Sequence, residues 1–161
     1  MEVIIKDGAI VADAWAHVAD DQPLPEGPST VSLPRWQDGQ EVLIEHGAPL
    51  GLRLGAADAV DSLADQLGAF ELIVLDMAAF TDGRVFSQAR LLRERFGYRG
   101  ELRARGDFIR DQMFFLSRVG VNAFEFPEGT DINDKLKAFG EFSVTYQAAH
   151  DDPRPLYRRR G

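Results

Sequence analysis

The sequence predicts an α/β fold: a mostly parallel sheet of βα units, either half-barrel-like or doubly wound, with an N-terminal β-hairpin. Three observations predict it. Strand-like and helix-like segments alternate between residues 47 and 150, and that alternation implies right-handed crossovers between parallel strands. Phe70–Met77 is almost wholly apolar, as a central strand covered by helices must be. Asp7-Gly8 stands between the β-rich runs Val3-Ile4-Ile5 and Ile10-Val11, a strong short-range hairpin signal.

The elements follow in order. Residues 1–19 hold the hairpin, and 20–34 read as a linker because Pro23, Pro25, Gly27, Pro28 and Pro34 forbid regular helix. Within it Thr30–Leu33 suits a short strand. Trp36–Glu45 fits helix or strand, since the run Val42-Leu43-Ile44 is too short for periodicity to decide. The repeating core, 47–150, opens with a strand at Gly51–Leu54 and a helix over Asp58–Leu67, where Val60, Leu63, Ala64 and Leu67 recur at helical spacing. After the apolar strand, Val85, Ala89, Leu92 and Phe96 mark a helix stopped by Gly97. Glu101–Arg105 is the next strand, Phe108–Val119 the next helix, with Phe114, Phe115 and Leu116 in its core, and Val121–Phe126 the last strand. A final helix runs from Asp131, a good N-cap, to about Ala149. Residues 151–161 form a basic tail, and the whole chain reads as one α/β domain.

Composition narrows the function. The 161 residues carry 18 Lys and Arg against 26 Asp and Glu, a net charge of −8, which repels a phosphate backbone and argues against nucleic acid as a partner. The chain has no cysteine, so no cofactor is bound through Cys: thiolate-held zinc, iron–sulfur clusters and thiol redox chemistry are all excluded. No apolar run approaches the roughly 18 residues that span a bilayer, and the N-terminus lacks a signal-peptide pattern. A cytoplasmic protein with no membrane partner is expected.

Ligands of parallel sheets and βα barrels sit at the carboxyl ends of the strands. That rule selects Arg53, Asp76, Arg103, Arg105, Asp107 and Glu125, with Asp82 and Arg84 after the second βα strand and Asp111 and Gln112 on the following helix. Glu101, Arg103 and Arg105 share one face by the period of two. That face looks into a polar cavity, as inside a partial barrel, or lies wet at a sheet edge. An arginine there suits a carboxylate or phosphate clamp, with Asp76 or Glu125 as its orienting partner or general base; a purely structural ion network is the alternative. Asp107 and Asp111 also suit helix N-terminal electrostatics. His17, His46 and His150 show no metal-ligand spacing, so no metal is expected. A half-barrel leaves one sheet face needing cover, which points to a homodimer; the cluster points to a small anion.

Leu72–Asp76, Thr81-Asp82-Gly83 and the late Phe126-Pro127 resemble a receiver domain, the flavodoxin/receiver-like form of the fold. The resemblance is one of topology, because Gly55-Ala56-Ala57 replaces the acidic pair and Phe126 the lysine that receivers need. A more extensive likeness lies in Asp82-Gly83-Arg84-x-Phe86-Ser87-Gln88-Ala89-Arg90-Leu91-Leu92-Arg93, Gly100-Glu101-Leu102-Arg103-Ala104-x-Gly106-Asp107, Asp111-Gln112 and Gly120-Val121-Asn122-Ala123-Phe124-Glu125. These runs are similar to an uncharacterised bacterial family usually encoded beside assimilatory sulfite reductase and described as an oxidoreductase of sulfite reduction. The resemblance implies an accessory protein of sulfite reduction and cysteine biosynthesis that docks to sulfite reductase or another sulfur-assimilation or redox partner.

Overall fold

Asp7 and Gly8 both take positive φ, the geometry of a tight hairpin turn, and they join β1 (Val3–Lys6) antiparallel to β2 (Ala9–Ala12). The computed structural model describes residues 2–55, 58–77 and 84–139. Beyond the hairpin come β3 (Ala16–His17), β4 (Ser29–Ser32), α1 (Leu33–Glu45), β5 (Leu50–Gly55), β6 (Leu72–Asp76), α2 (Arg84–Arg90), β7 (Glu101–Arg105), α3 (Arg110–Arg118) and β8 (Ala123–Glu125). Residues 132–139 are helical. The rest of the expected last helix, the basic tail and Asp82 lie outside the described residues.

All eight strands form one sheet in the order β2-β1-β8-β7-β6-β5-β4-β3. From β3 to β8 every pairing is parallel, and the spatial order follows the chain. A doubly wound sheet needs a reversal of strand order, and this sheet has none. Successive right-handed crossovers in one direction put the connections on one face, so the fold is a half-barrel and the flavodoxin/receiver-like alternative is set aside. The parallel sheet also begins earlier than residue 47, because β3 and β4 flank the Pro-rich stretch.

The sheet is strongly curled. β2 and β3 are its opposite edges, about 34 Å apart in a flat eight-stranded sheet, yet Ala12 and Ala16 are joined only by Asp13-Ala14-Trp15, whose reach is at most about 14 Å. The strap therefore crosses the open side of the half-barrel. Register sorts the side chains into two faces. Leu52, Ile73 and Leu102 form one row, and Leu54, Leu75, Ala104 and Phe124 the next; all belong to the apolar core under the helices. The alternate rows, Arg53–Val74–Arg103–Ala123 and Gly55–Asp76–Arg105–Glu125, line the concave face.

One open segment is settled and two local expectations are corrected. Trp36–Glu45 is helix: α1 starts at Leu33, where the Ser32 hydroxyl caps the Arg35 N–H and Pro34 fits the first turn. Asp58–Leu67 is not one α-helix but two single 3₁₀ turns, Asp61–Leu63 and Leu67–Ala69; apolar residues at i and i+3 suit a three-residue turn equally well. In α3 Met113 and Leu116 point inward, whereas Phe115 is exposed.

Candidate functional site

The curl brings β3 across to β8. His17 on β3 lies five strands from β8, about 24 Å in a flat sheet, yet its Nε2 is 2.9 Å from Glu125 Oε1 and 3.1 Å from Oε2. A carboxylate only accepts, so Nε2 carries the proton that it donates to Glu125. Nδ1 shares a 2.7 Å hydrogen bond with the Thr30 hydroxyl. Thr30, His17 and Glu125 thus repeat the spacing of a nucleophile–base–acid triad. Thr30 is fully buried and its hydroxyl also accepts from Arg53 NH1, so no substrate carbon can reach it. The trio anchors β3 to β8.

Arg103, 1% exposed, is the hub of the interior. Its NH1 donates to Glu125 at 2.9 Å and to Asp13 of the strap at 3.2 Å; its Nε donates to Glu101 at 2.9 Å, and its NH2 is ion-paired with the same carboxylate at 2.9 Å. Glu101 is in turn paired with Lys6 at 3.1 Å. Burial alone would lower the Arg103 pKa, but Glu101, Asp13 and Glu125 outweigh it and raise the value. Glu125 shows the mirror case. Burial pushes its pKa up, yet the hydrogen bonds and charges of His17 and Arg103 hold it down at about 2.

At the carboxyl rim the picture changes. Asp76 and Arg105 face one another in register, each about 40% exposed, with NH1 and Oδ1 3.7 Å apart, too far for a hydrogen bond. Arg105 Nε is ion-paired with Glu125 Oε2 at 3.1 Å, and its NH2 makes no hydrogen bond among the described residues. Burial raises the Asp76 pKa, with Arg105, His17 and Arg53 opposing. Arg53 has no carboxylate within salt-bridge distance among the described residues. Its guanidinium donates instead to the Thr30 carbonyl and hydroxyl and to the Val18 carbonyl, at 2.7–2.8 Å, and burial lowers its pKa against the pull of Asp76.

Of the residues selected from the sequence, the structure brings Arg53, Asp76, Arg103, Arg105 and Glu125 together. Arg84 is exposed at the start of α2. Asp107 is exposed and 3.8 Å from Lys135; Asp111 is exposed beside Arg110; Gln112 accepts the Ile109 N–H at 2.9 Å and caps α3. These three serve the helix end. Asp13, His17, Thr30 and Glu101 complete the cluster without having been selected, and no motif spacing could have shown it. His17 and Glu125 are 108 residues apart, and only the curl unites them.

Asp13, His17 and Glu125 each present a ligand atom within 4.8 Å of the others, the one such trio among the described residues. Both carboxylates already bind the sealed Arg103 guanidinium, whose charge opposes a cation entering among them. Next to Glu125 a cavity of about 190 Å³ opens between β1 and the turn after β8, lined by Glu2, Ile4, Asp13, Phe126 and Glu128 among others.

Fold and site together define a parallel half-barrel with an ionic interior and a mixed-charge rim at its strand ends. Residues 51–157 match the family described as "Bacterial protein of unknown function (DUF934)", and the chain belongs to that family. Among curated proteins, none matches it. Among solved structures, the Bacillus subtilis YkuI protein, with an EAL domain and in complex with substrate c-di-GMP and calcium, is similar at a TM-score of 0.49 and 16% identity. The match covers 73% of this chain and 34% of that one, so the chain spans about a third of that protein's length. Among the described residues no helix is long and apolar enough to cross a membrane.

Proposed function

We propose that this protein binds a small anion at the carboxyl rim of the half-barrel, with Arg105 as the receiving group and Asp76 as the acid–base group beside it. One observation carries the reading: the strand ends gather two arginines, Arg53 and Arg105, about one half-exposed carboxylate, Asp76. Arg53 meets only neutral acceptors, and Arg105 keeps an open NH2 while sharing Glu125 with Arg103 and His17. Asp76 is the half-exposed carboxylate that acts on both guanidiniums, and an anion at this point gives them a second partner. Arg105 offers the planar fork that suits oxyanions. Asp76, raised in pKa by burial, is the carboxyl group within reach for proton transfer.

Thermal melts with sulfite, sulfate, phosphate and small carboxylates test this. A bound anion at 100 times its Kd adds about 2.7 kcal/mol of stability. Arg105→Ala should abolish that shift while leaving the unliganded melt nearly unchanged. Failure of every anion to move the melt would overturn the reading.

A place in sulfite reduction is a second reading, carried by the likeness of the runs between residues 82 and 125 to the family encoded beside assimilatory sulfite reductase. Its test is separate. Tagged protein should co-purify with sulfite reductase, and normal reductase assembly and turnover in a deletion strain would count against it.

A further inference from the structure

Resting on the anion-site reading above, we propose that the rim selects an oxyanion that still carries an acidic hydroxyl: Arg105 donates to its charged oxygen while the Asp76 carboxylate accepts its O–H.

The argument begins with the count of charges facing the rim. Lys6 neutralises Glu101. That leaves Arg53, Arg103 and Arg105 against Asp13, Asp76 and Glu125 on the concave face, with His17 hydrogen-bonded to Glu125. With Asp58 beside the end of β5 and with Asp20 and Arg35 offsetting one another near Arg53, carboxylates at least match cations when Asp76 is ionised. A bare anion placed on Arg105 would add one negative charge within a few ångströms of Asp76.

Hydrogen-bonding capacity points the same way. An ionised carboxylate only accepts, and Asp76 accepts no hydrogen bond among the described residues, its nearest cation being Arg105 at 3.7 Å. Asp58, beside the end of β5, is a further acceptor and uses Oδ2 on the Gly55 N–H at 2.8 Å. An anion without a proton would set acceptor against acceptor. An anion bearing a hydroxyl converts that repulsion into a charge-assisted hydrogen bond, roughly twice as strong as a neutral one. Gly55, the register partner of Asp76 on β5, puts no side chain beside it.

Inorganic phosphate and inorganic sulfate are the discriminating probes. Both are tetrahedral and close in size, but near neutral pH phosphate retains at least one hydroxyl and sulfate none. Titration calorimetry on the full chain should give phosphate a Kd about tenfold or more below that of sulfate. Asp76→Asn, whose amide can donate, and Asp76→Ala, which removes the acceptor, should both collapse the preference. Arg105→Ala should weaken both ions alike. Equal affinity for the two ions in the native protein would overturn the hydroxyl requirement and leave the anion site standing. A preference surviving both Asp76 variants would overturn the assignment to Asp76. Binding of neither ion would bring down this inference, and an unmoved melt with every other anion would bring down the site itself.

Discussion

Arg103 and Arg105 are two residues apart on β7 and point to the same side, but they do different work. Arg103 is sealed among Asp13, Glu101 and Glu125, and its loss would strand three carboxylates in a poorly solvated interior. Arg103→Ala should therefore cost about 3–5 kcal/mol in urea unfolding. Arg105 is 41% exposed, so solvent screens its ion pairs, and Arg105→Ala should cost about 1 kcal/mol or less. Equal costs for the two variants would contradict the division into hub and rim. The sequence showed which face these arginines share, because a period of two fixes sides. It could not show depth along the barrel axis, which depends on how the strand ends are staggered and covered. Nor could it show the partners Asp13 and His17, which reach the cluster through the tertiary curl alone.

Among the elements, β6 and β7 were legible because long apolar or alternating runs carry their own periodicity, and the hairpin because Asp7-Gly8 is turn chemistry. β3 was not, since two residues hold no period, and the Pro-rich stretch around it reads as linker although it borders sheet on both sides. The 3₁₀ turns between β5 and β6 are hidden because apolar residues three apart suit a helix and a three-residue turn alike. What makes the strap work is Gly51 on β5: a Cβ there would lie 2.9 Å from Thr30 Cγ2, 3.2 Å from the Leu72 carbonyl oxygen and 3.2 Å from the Trp15 ring. The strap packs on a strand that has no side chain at that point. Gly51→Val should push Trp15 and Thr30 off the concave face and cost about 1–3 kcal/mol, with a change in tryptophan fluorescence as Trp15 is displaced. An unchanged spectrum and melt would mean that the strap does not rest there.

At the scale of the whole molecule, two kinds of force hold two faces of one sheet. The convex face is an apolar core with Leu52, Leu54, Ile73, Leu75 and Leu102 all fully buried, whereas the concave face is closed by charges that join β8 to the strap and to β3. The charges titrate and the core does not. Glu125 has its pKa held at about 2, against an ordinary value of 4.5, so its ionic contacts contribute stability that is fully present above pH 4.5 and is lost as pH falls toward 2; the shift corresponds to about 3 kcal/mol. Protonation there weakens the His17 and Arg103 contacts without touching the helices. Acid should therefore open the half-barrel along the β3–β8 seam before it melts the core. In hydrogen–deuterium exchange at steps from pH 5 to pH 2.5, corrected for intrinsic rates, residues 13–18 and 29–32 should lose protection first. Residues 72–76 and 101–105 should keep theirs. Glu125→Gln should show that opening already at neutral pH, because the carboxylate that ties the seam is absent at every pH. Simultaneous loss of protection across both faces would show that the ionic and apolar halves unfold as one unit.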